Sequence, residues 1–202
     1  MRIPHRLSVA ALVLVALGMT FVGCSEEEDA TRIVVDVVSL NSNSPLFSDV
    51  YDTNNTPDDT ADDFIPVDLV QVTFRARPHD AVLNVTPGGP FGTVRFTKYS
   101  VEFRDGINST GADLNGDGAV DLENFEAPMS TVVDTFNDAV GYIMLIGGGV
   151  KSEFPINQLI FSGEYTADAQ ITFFGEEETS GDKIEISRGL HIRVANFGDG
   201  GE

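Results

Sequence analysis

The chain has 202 residues and a formal net charge of −20, from 32 acidic and 12 basic residues. Hydrophobic residues make up 42% of it, which supplies a core and excludes a globally disordered chain. The acidity excludes nucleic acid and anionic lipid surfaces as electrostatic partners, because both would be repelled. A single cysteine excludes a disulfide framework and any zinc site built from several cysteines.

The start of the chain has the pattern of a processing segment rather than of a folded element. Arg2 and Arg6 make its first residues positively charged. The apolar run that follows, 9–22, is about 14 residues long, whereas a membrane-spanning helix needs about 20. The sequence therefore predicts a signal peptide over residues 1–23.

The apolar run ends in the tetrapeptide Phe21-Val22-Gly23-Cys24. It resembles the lipobox of bacterial lipoprotein precursors, although its first residue departs from the usual leucine. The resemblance implies cleavage before Cys24, lipid on the thiol and amine of Cys24, and attachment to the bacterial cell envelope. Ser25, where an aspartate would favour the inner membrane, implies the outer membrane. The alternative is an ordinary secretory signal with a chance cysteine. Residues 24–30 are then an acidic tether and 31–198 one domain.

Most of the remaining chain alternates apolar and polar residues with period two, which predicts β-strands. The alternation changes parity near Thr97 and Lys98, which predicts a β-bulge there. Two long polar loops are predicted at 41–63 and 105–128. The predicted strands are 31–40, 67–77, 93–104, 129–136, 139–146, 165–174 and 183–194, and the last two form a hairpin.

About seven strands separated by turn-rich loops predict an all-β protein, an antiparallel β-sandwich with long acidic loops. The strand order, and above all the closing hairpin 165–194, resembles immunoglobulin-like and fibronectin type III-like domains of bacterial surface proteins. The chain has no tryptophan and 14 phenylalanines, so phenylalanine is expected to fill the centre of the core. Alternating strand directions place loops 41–63 and 105–128 at the same end of the sandwich.

Residues 112–125 read ADLNGDGAVDLENF. They match the EF-hand pattern D-x-[DN]-x-[DN]-G, in which alternate side chains turn inward around a hard cation and the glycine permits a sharp turn. The segment resembles the calcium loop of dockerin and related modules, and the resemblance implies bound calcium. The predicted ligands are Asp113, Asn115, Asp117, the carbonyl oxygen of Ala119, and Asp121.

The last ligand position of the EF-hand pattern, normally a bidentate glutamate, is Asn124. Glu123 is the candidate sixth ligand, and Glu126 or the acidic residues of 49–63 are alternatives. The departure predicts weak binding, with a dissociation constant of roughly 0.1–1 mM. The competing interpretation is a solvated turn, since aspartate, asparagine and glycine are ordinary turn residues.

The sequence offers few catalytic parts, so we expect no enzyme. Two isolated histidines, His79 and His191, follow the predicted cleavage site, and no G-x-S-x-G motif is present. The predicted function is a non-enzymatic structural, adhesion or interaction module, held to the membrane by lipid and rigidified by calcium. The alternatives are a carbohydrate-binding or substrate-capture module, with Phe47, Tyr51 and Phe91 as contacts, and an accessory subunit of an envelope assembly.

Overall fold

The alternating segments form eight strands in the computed structural model, which describes residues 32–54, 56, 60–79, 92–105 and 113–198. The predicted signal peptide, Cys24 and the acidic tether lie outside the described residues, and so does Phe91. The strands are β1 Ile33–Leu40, β2 Leu46–Asp49, β3 Asp68–Pro78, β4 Val94–Asp105, β5 Phe125–Val133, β6 Ala139–Ile146, β7 Glu164–Glu177 and β8 Lys183–Ala195. A short helix, α1 Gly148–Ser152, and 3-10 turns at Asn41–Asn43 and Ile156–Ile160 complete the set.

The strands form two sheets, one of three strands in the order β1-β3-β6 and one of five in the order β2-β8-β7-β4-β5. Their buried faces meet in one core. At its centre Phe74 of β3 stacks on Phe96 of β4, with ring centroids 4.7 Å apart, and meets Phe173 of β7 edge-on at 5.0 Å. Three phenylalanines thus join the sheets, and the predicted all-β sandwich is confirmed.

The predicted β-bulge is present in β4. The register shifts between Phe96 and Lys98 against both neighbours, β5 and β7. One extra residue in a strand turns the following side chains to the other face. Phe96 before the bulge and Tyr99 after it are therefore both buried, although their positions have opposite parity.

Two predicted loops contain more structure than expected. Segment 41–63 holds β2, whose Leu46 pairs with Ile192 of β8 in a parallel register. Within the described residues the sandwich therefore has eight strands, and the pair β2 and β8 is parallel in an otherwise antiparallel arrangement. Strand β5 begins at Phe125, inside the loop predicted to end at residue 128. The first half of β5 alternates between partly buried and exposed positions. Partly buried positions need fewer apolar residues, so the alternating pattern that predicts a strand is weaker there.

The two acidic segments flank the connection between β6 and β7. Lys151 of α1 donates hydrogen bonds to the carbonyls of Asp49 and Pro66, on either side of the first acidic segment. Val150 of the same helix shares a cavity with residues 122–125, at the end of the second. The described residues at these contacts, at the edges of the two segments, thus lie at one end of the sandwich, whereas β2 runs along the edge of the five-stranded sheet.

Candidate metal loop

The carboxylate of Asp113 organises the beginning of the candidate loop. Its Oδ1 accepts hydrogen bonds from the backbone N–H groups of Gly116 and Asp117, at 2.6 and 3.1 Å. Its Oδ2 accepts one from Gly118 at 2.7 Å. Gly116 and Gly118 have φ of +76° and +84°, so both turns use a conformation that favours glycine. The chain thus wraps around the first predicted ligand.

The other predicted side-chain ligands close the same turn. Asn115 Oδ1 accepts a hydrogen bond from Asp117 N at 2.9 Å, and Asp117 Oδ1 accepts one from Ala119 N at 2.8 Å. The carboxylate of Asp121 accepts hydrogen bonds from Asn115 Nδ2 at 3.0 Å and Leu114 N at 2.6 Å. Asp113, Asn115, Asp117 and Asp121 are therefore brought together.

The carboxylates of this loop repel one another. The pKa of Asp121 is raised, first by burial and then by the negative charges of Asp113 and Asp117, while the N–H of Leu114 opposes the shift. Across the described residues, no three His, Cys, Asp or Glu side chains form a group that could hold a metal ion. A cation would therefore require the carboxylates of the loop to move closer together, while their remaining lone pairs could still accept from the backbone N–H groups.

The residue at the last ligand position has a structural partner that sequence reasoning missed. Asn124 Oδ1 accepts a hydrogen bond from Phe103 N of β4 at 2.7 Å, which ties the end of the loop to the sheet. Glu123, the candidate sixth ligand, is exposed, and no hydrogen bond joins its side chain to the described residues of the loop. No described contact therefore joins Glu123 to the other predicted ligands.

The acidic segment 49–63 makes its own local contacts. Asp62 accepts hydrogen bonds from Thr56 Oγ1 at 2.7 Å and Asn54 Nδ2 at 3.1 Å, and these lower the pKa of Asp62. Tyr51, a predicted aromatic contact, is half-buried and donates its hydroxyl to Asp63. Among the acids of this segment that the structure describes, none bonds to the 113–124 loop, so its proposed ligand contribution gains no support.

The two histidines lie on different elements. His191 is exposed on β8, with Nδ1 2.8 Å from Asp168 Oδ1 on the neighbouring β7. His79 follows β3, and its backbone N–H donates to the carbonyl of Arg32 at 2.8 Å. The structure therefore does not bring the two imidazoles together.

Lys151 of α1 was not identified from the sequence as a structural residue. Its side chain is fully buried, and Nζ lies 2.8 Å from the carbonyl oxygens of Asp49 and Pro66 and 2.9 Å from Asp68 Oδ2. Ser48 Oγ donates to the same Asp68 oxygen at 2.6 Å. Burial raises the pKa of Asp68, against the opposing effects of Ser48 and Lys151. Three acceptors satisfy the three ammonium donors, which gives Lys151 a structural role.

Comparison with known proteins adds no relationship. No protein-family description matches the chain. No curated protein matches it either. Within the part of the chain that the structure describes, none of the helices is long and apolar enough to cross a membrane. The fold and the 113–124 loop together define an all-β sandwich with an acidic turn at one end.

Proposed function

We propose that this protein is a lipid-anchored, non-enzymatic β-sandwich of the bacterial cell envelope that acts as a structural, adhesion or interaction module. The observation that carries the proposal is the lipobox-like tetrapeptide, which ends in the only cysteine of the chain, Cys24. A body with a net charge of −20 gains no electrostatic attraction to an anionic bilayer, so attachment requires acyl chains. Placement at the outer membrane is part of the proposal.

The strand order supports an immunoglobulin-like type of sandwich. In that fold the first, second and fifth main strands share one sheet, and the third, sixth and seventh share the other. Here β1, β3 and β6 form one sheet, while β4, β7 and β8 lie side by side in the other. The fourth main strand, β5, pairs with β4 instead of joining β1, β3 and β6 as it does in the constant-type fold. Such sandwiches present sheet faces and loop ends to partners, which fits an interaction module.

Lipidation is expected to depend on Cys24 alone. When the full chain is produced in a bacterial host fed an alkyne-bearing fatty acid, it should acquire the label and fractionate with membranes. Cys24→Ser should lose the label and leave the membrane fraction, because no other thiol is present. Ser25→Ala is the matched control and should keep the label. A labelled Cys24→Ser protein, or an unlabelled parent chain, would contradict the anchor.

The 113–124 loop is proposed to bind calcium. The ion would take oxygens from Asp113, Asn115, Asp117 and Asp121, with the carbonyl of Ala119 and, less directly, Glu123. The support is the spacing of these residues and the mutual repulsion of their carboxylates, which adds to burial in raising the pKa of Asp121. A bound cation would neutralise that repulsion and stabilise the folded form by mass action.

Calcium at about 10 mM is expected to raise the melting temperature by roughly 3–10 °C over EDTA, for a dissociation constant of roughly 0.1–1 mM. Magnesium at equal ionic strength should give a smaller rise, since it reports screening alone. Asp117→Ala should abolish the calcium-specific part. Differential scanning calorimetry of the full chain in mild detergent measures all three.

Asp134→Ala is the matched control for the calcium measurement. Asp134 Oδ1 also caps a turn, accepting hydrogen bonds from the N–H groups of Phe136 and Asn137 at 2.8 and 2.9 Å. Its loss should lower the melting temperature in EDTA and leave the calcium response intact. An equal response to magnesium and calcium, or a full calcium response in Asp117→Ala, would reduce the loop to a polar turn.

A second candidate function, an accessory subunit of an envelope assembly, is favoured by an apolar patch on the outward face of the three-stranded sheet. The patch consists of Leu69, Val140, Tyr142 and Met144, which are 41–66% exposed. Leu69 of β3 lies directly opposite Met144 of β6, so the patch is continuous across two strands. Contiguous exposed apolar surface of this kind is typical of protein contact sites.

A further inference from the structure

The outward face of the five-stranded sheet carries a polar platform built from three cross-strand rows. Strands β4, β7, β8 and β2 contribute to it, and paired residues in each row point to the same side of the sheet. The rows are Glu102, Gln170 and Gly189; Arg104, Asp168 and His191; and Thr166, Arg193 and Phe47. We call this surface the polar platform.

Gly189 leaves a hollow in the platform. A cavity of about 370 Å³ lies over it, walled by Arg104, Asp168, Gln170 and His191. A second hollow of about 220 Å³ shares Gly189 and His191 and continues toward the turn at 43–45. The larger volume falls within the range of small-ligand sites. A strand residue without a side chain, with polar groups around it, creates space that a ligand can enter.

The charges of the platform are already paired. Arg104 bonds to Glu102 at 2.7 Å, His191 to Asp168 at 2.8 Å, and Arg193 to Glu164. The amide of Gln170, which makes no hydrogen bond to the described residues, faces the hollow. An anionic ligand would meet these carboxylates and a chain of net charge −20, and a cationic one would meet Arg104 and Arg193 and, in the smaller hollow, Arg188. The charge pattern favours an uncharged ligand with many hydroxyls.

One edge of the platform is aromatic. Phe47 is 54% exposed and Phe197 is 41% exposed, and their ring centroids are 5.7 Å apart at 78°. The guanidinium of Arg193 lies 5.3 Å from the centre of the Phe47 ring. A sugar ring has a C–H face that packs on aromatic surface and a hydroxyl rim that hydrogen-bonds to amide, imidazole and carboxylate groups. Both kinds of contact are present here, side by side.

We propose that the polar platform binds a neutral polysaccharide, with one sugar in the hollow over Gly189 and a neighbouring sugar against Phe47. The proposal deepens the interaction-module function and names the chemistry of its partner. It rests on that function only in part, because neither the lipid on Cys24 nor calcium in the 113–124 loop contributes a contact. The polysaccharide proposal can therefore be contradicted without contradicting the lipid anchor or calcium binding.

Affinity electrophoresis of the full chain in mild detergent tests the proposal, with laminarin, xylan or galactomannan in the gel and alginate as the acidic comparison. At least one neutral polysaccharide should retard the protein, in EDTA as well as in calcium, and alginate should not. Phe47→Ala should weaken the retardation roughly tenfold, as expected for the loss of one aromatic contact. Phe136→Ala, which removes an exposed aromatic side chain between β5 and β6, should leave it unchanged.

Gly189→Val separates a ligand role from a structural one. A Cβ at Gly189 would have Gln170 Oε1 as its nearest atom, at 4.0 Å, so valine fits the folded strand but fills the hollow. This variant should keep the melting temperature and lose the retardation. The proposal is overturned if no neutral polysaccharide retards the parent chain, if alginate retards it instead, or if Gly189→Val is retarded as strongly as the parent. None of these results alters the labelling of Cys24 or the calcium response.

Discussion

Lys151→Met is expected to lower the free energy of unfolding by about 3–5 kcal/mol, the usual cost of removing one partner of a buried ion pair. Methionine keeps the apolar stem of Lys151 but leaves the carbonyls of Asp49 and Pro66 without the ammonium donor and Asp68 without its positive charge. Each is a polar group that burial penalises when it is unpaired. Urea unfolding followed by far-ultraviolet circular dichroism measures the loss as a lower midpoint.

The matched control is an exposed ion pair with the same nitrogen–oxygen distance. Lys98 Nζ lies 2.9 Å from Glu126, and both side chains are exposed. Because exposed ion pairs contribute little, Lys98→Met should cost less than about 1 kcal/mol. Adding Asp68→Leu to Lys151→Met should recover part of the loss, since the stranded carboxylate is then removed. Equal costs for Lys151→Met and Lys98→Met would show that the buried pair is not the connection between β2, β3 and α1 that we describe.

The sequence was informative wherever local alternation decides the structure. In β3 the alternation puts Val70, Val72, Phe74 and Ala76 on one face of the strand, which predicts the buried face. All four side chains are buried. The parity change in β4 predicted the bulge, because one extra residue is needed to keep Phe96 and Tyr99 on the same face. The closing hairpin was predicted for the same reason, and β7 and β8 pair along their whole length without a register shift.

Local alternation does not carry information about distant partners. Strand β2 has only four residues, and it is held by β8, which follows about 140 residues later in the chain. Lys151 is held by three acceptors, from β2, from β3 and from the segment between them, so no pattern around residue 151 could indicate its burial. The order of β2, β8, β7 and β4 in the sheet likewise places Phe47 beside Arg193 and His191 on one face. Alternation within each strand predicts that these side chains point outward, but not that they are neighbours.

The 113–124 loop shows, within one motif, what local spacing predicts and what it cannot predict. The spacing of Asp113, Asn115, Asp117 and Asp121 predicted that these residues share a turn, and the structure brings them together. The role of Asn124 was not predictable, because its acceptor oxygen is used by the backbone of β4. A residue that looks like a defective ligand in the sequence is a tie between loop and sheet in the structure.

Gly175→Ala is expected to destabilise the fold by about 3 kcal/mol, at the upper end of the usual cost of overpacking. Gly175 of β7 lies opposite Phe96, beside the bulge in β4. A Cβ there would be 2.8 Å from the carbonyl oxygen of Arg95 and 2.9 Å from Cδ1 of Phe96. The first of these atoms is backbone in a sheet ladder, so it cannot move without breaking the pairing of β4 with β7.

Gly189→Ala on the neighbouring strand is the control, since an added Cβ there meets only Gln170 Oε1, at 4.0 Å. Its melting temperature should stay equal or rise slightly, because alanine restricts the unfolded chain more than glycine. Combining Gly175→Ala with Phe96→Leu distinguishes the two obstacles. If the Arg95 carbonyl is the obstacle, the smaller side chain gives no rescue and the two costs accumulate. Rescue by Phe96→Leu would instead show that the aromatic stack against Phe74, and not the bulged backbone, requires glycine at position 175.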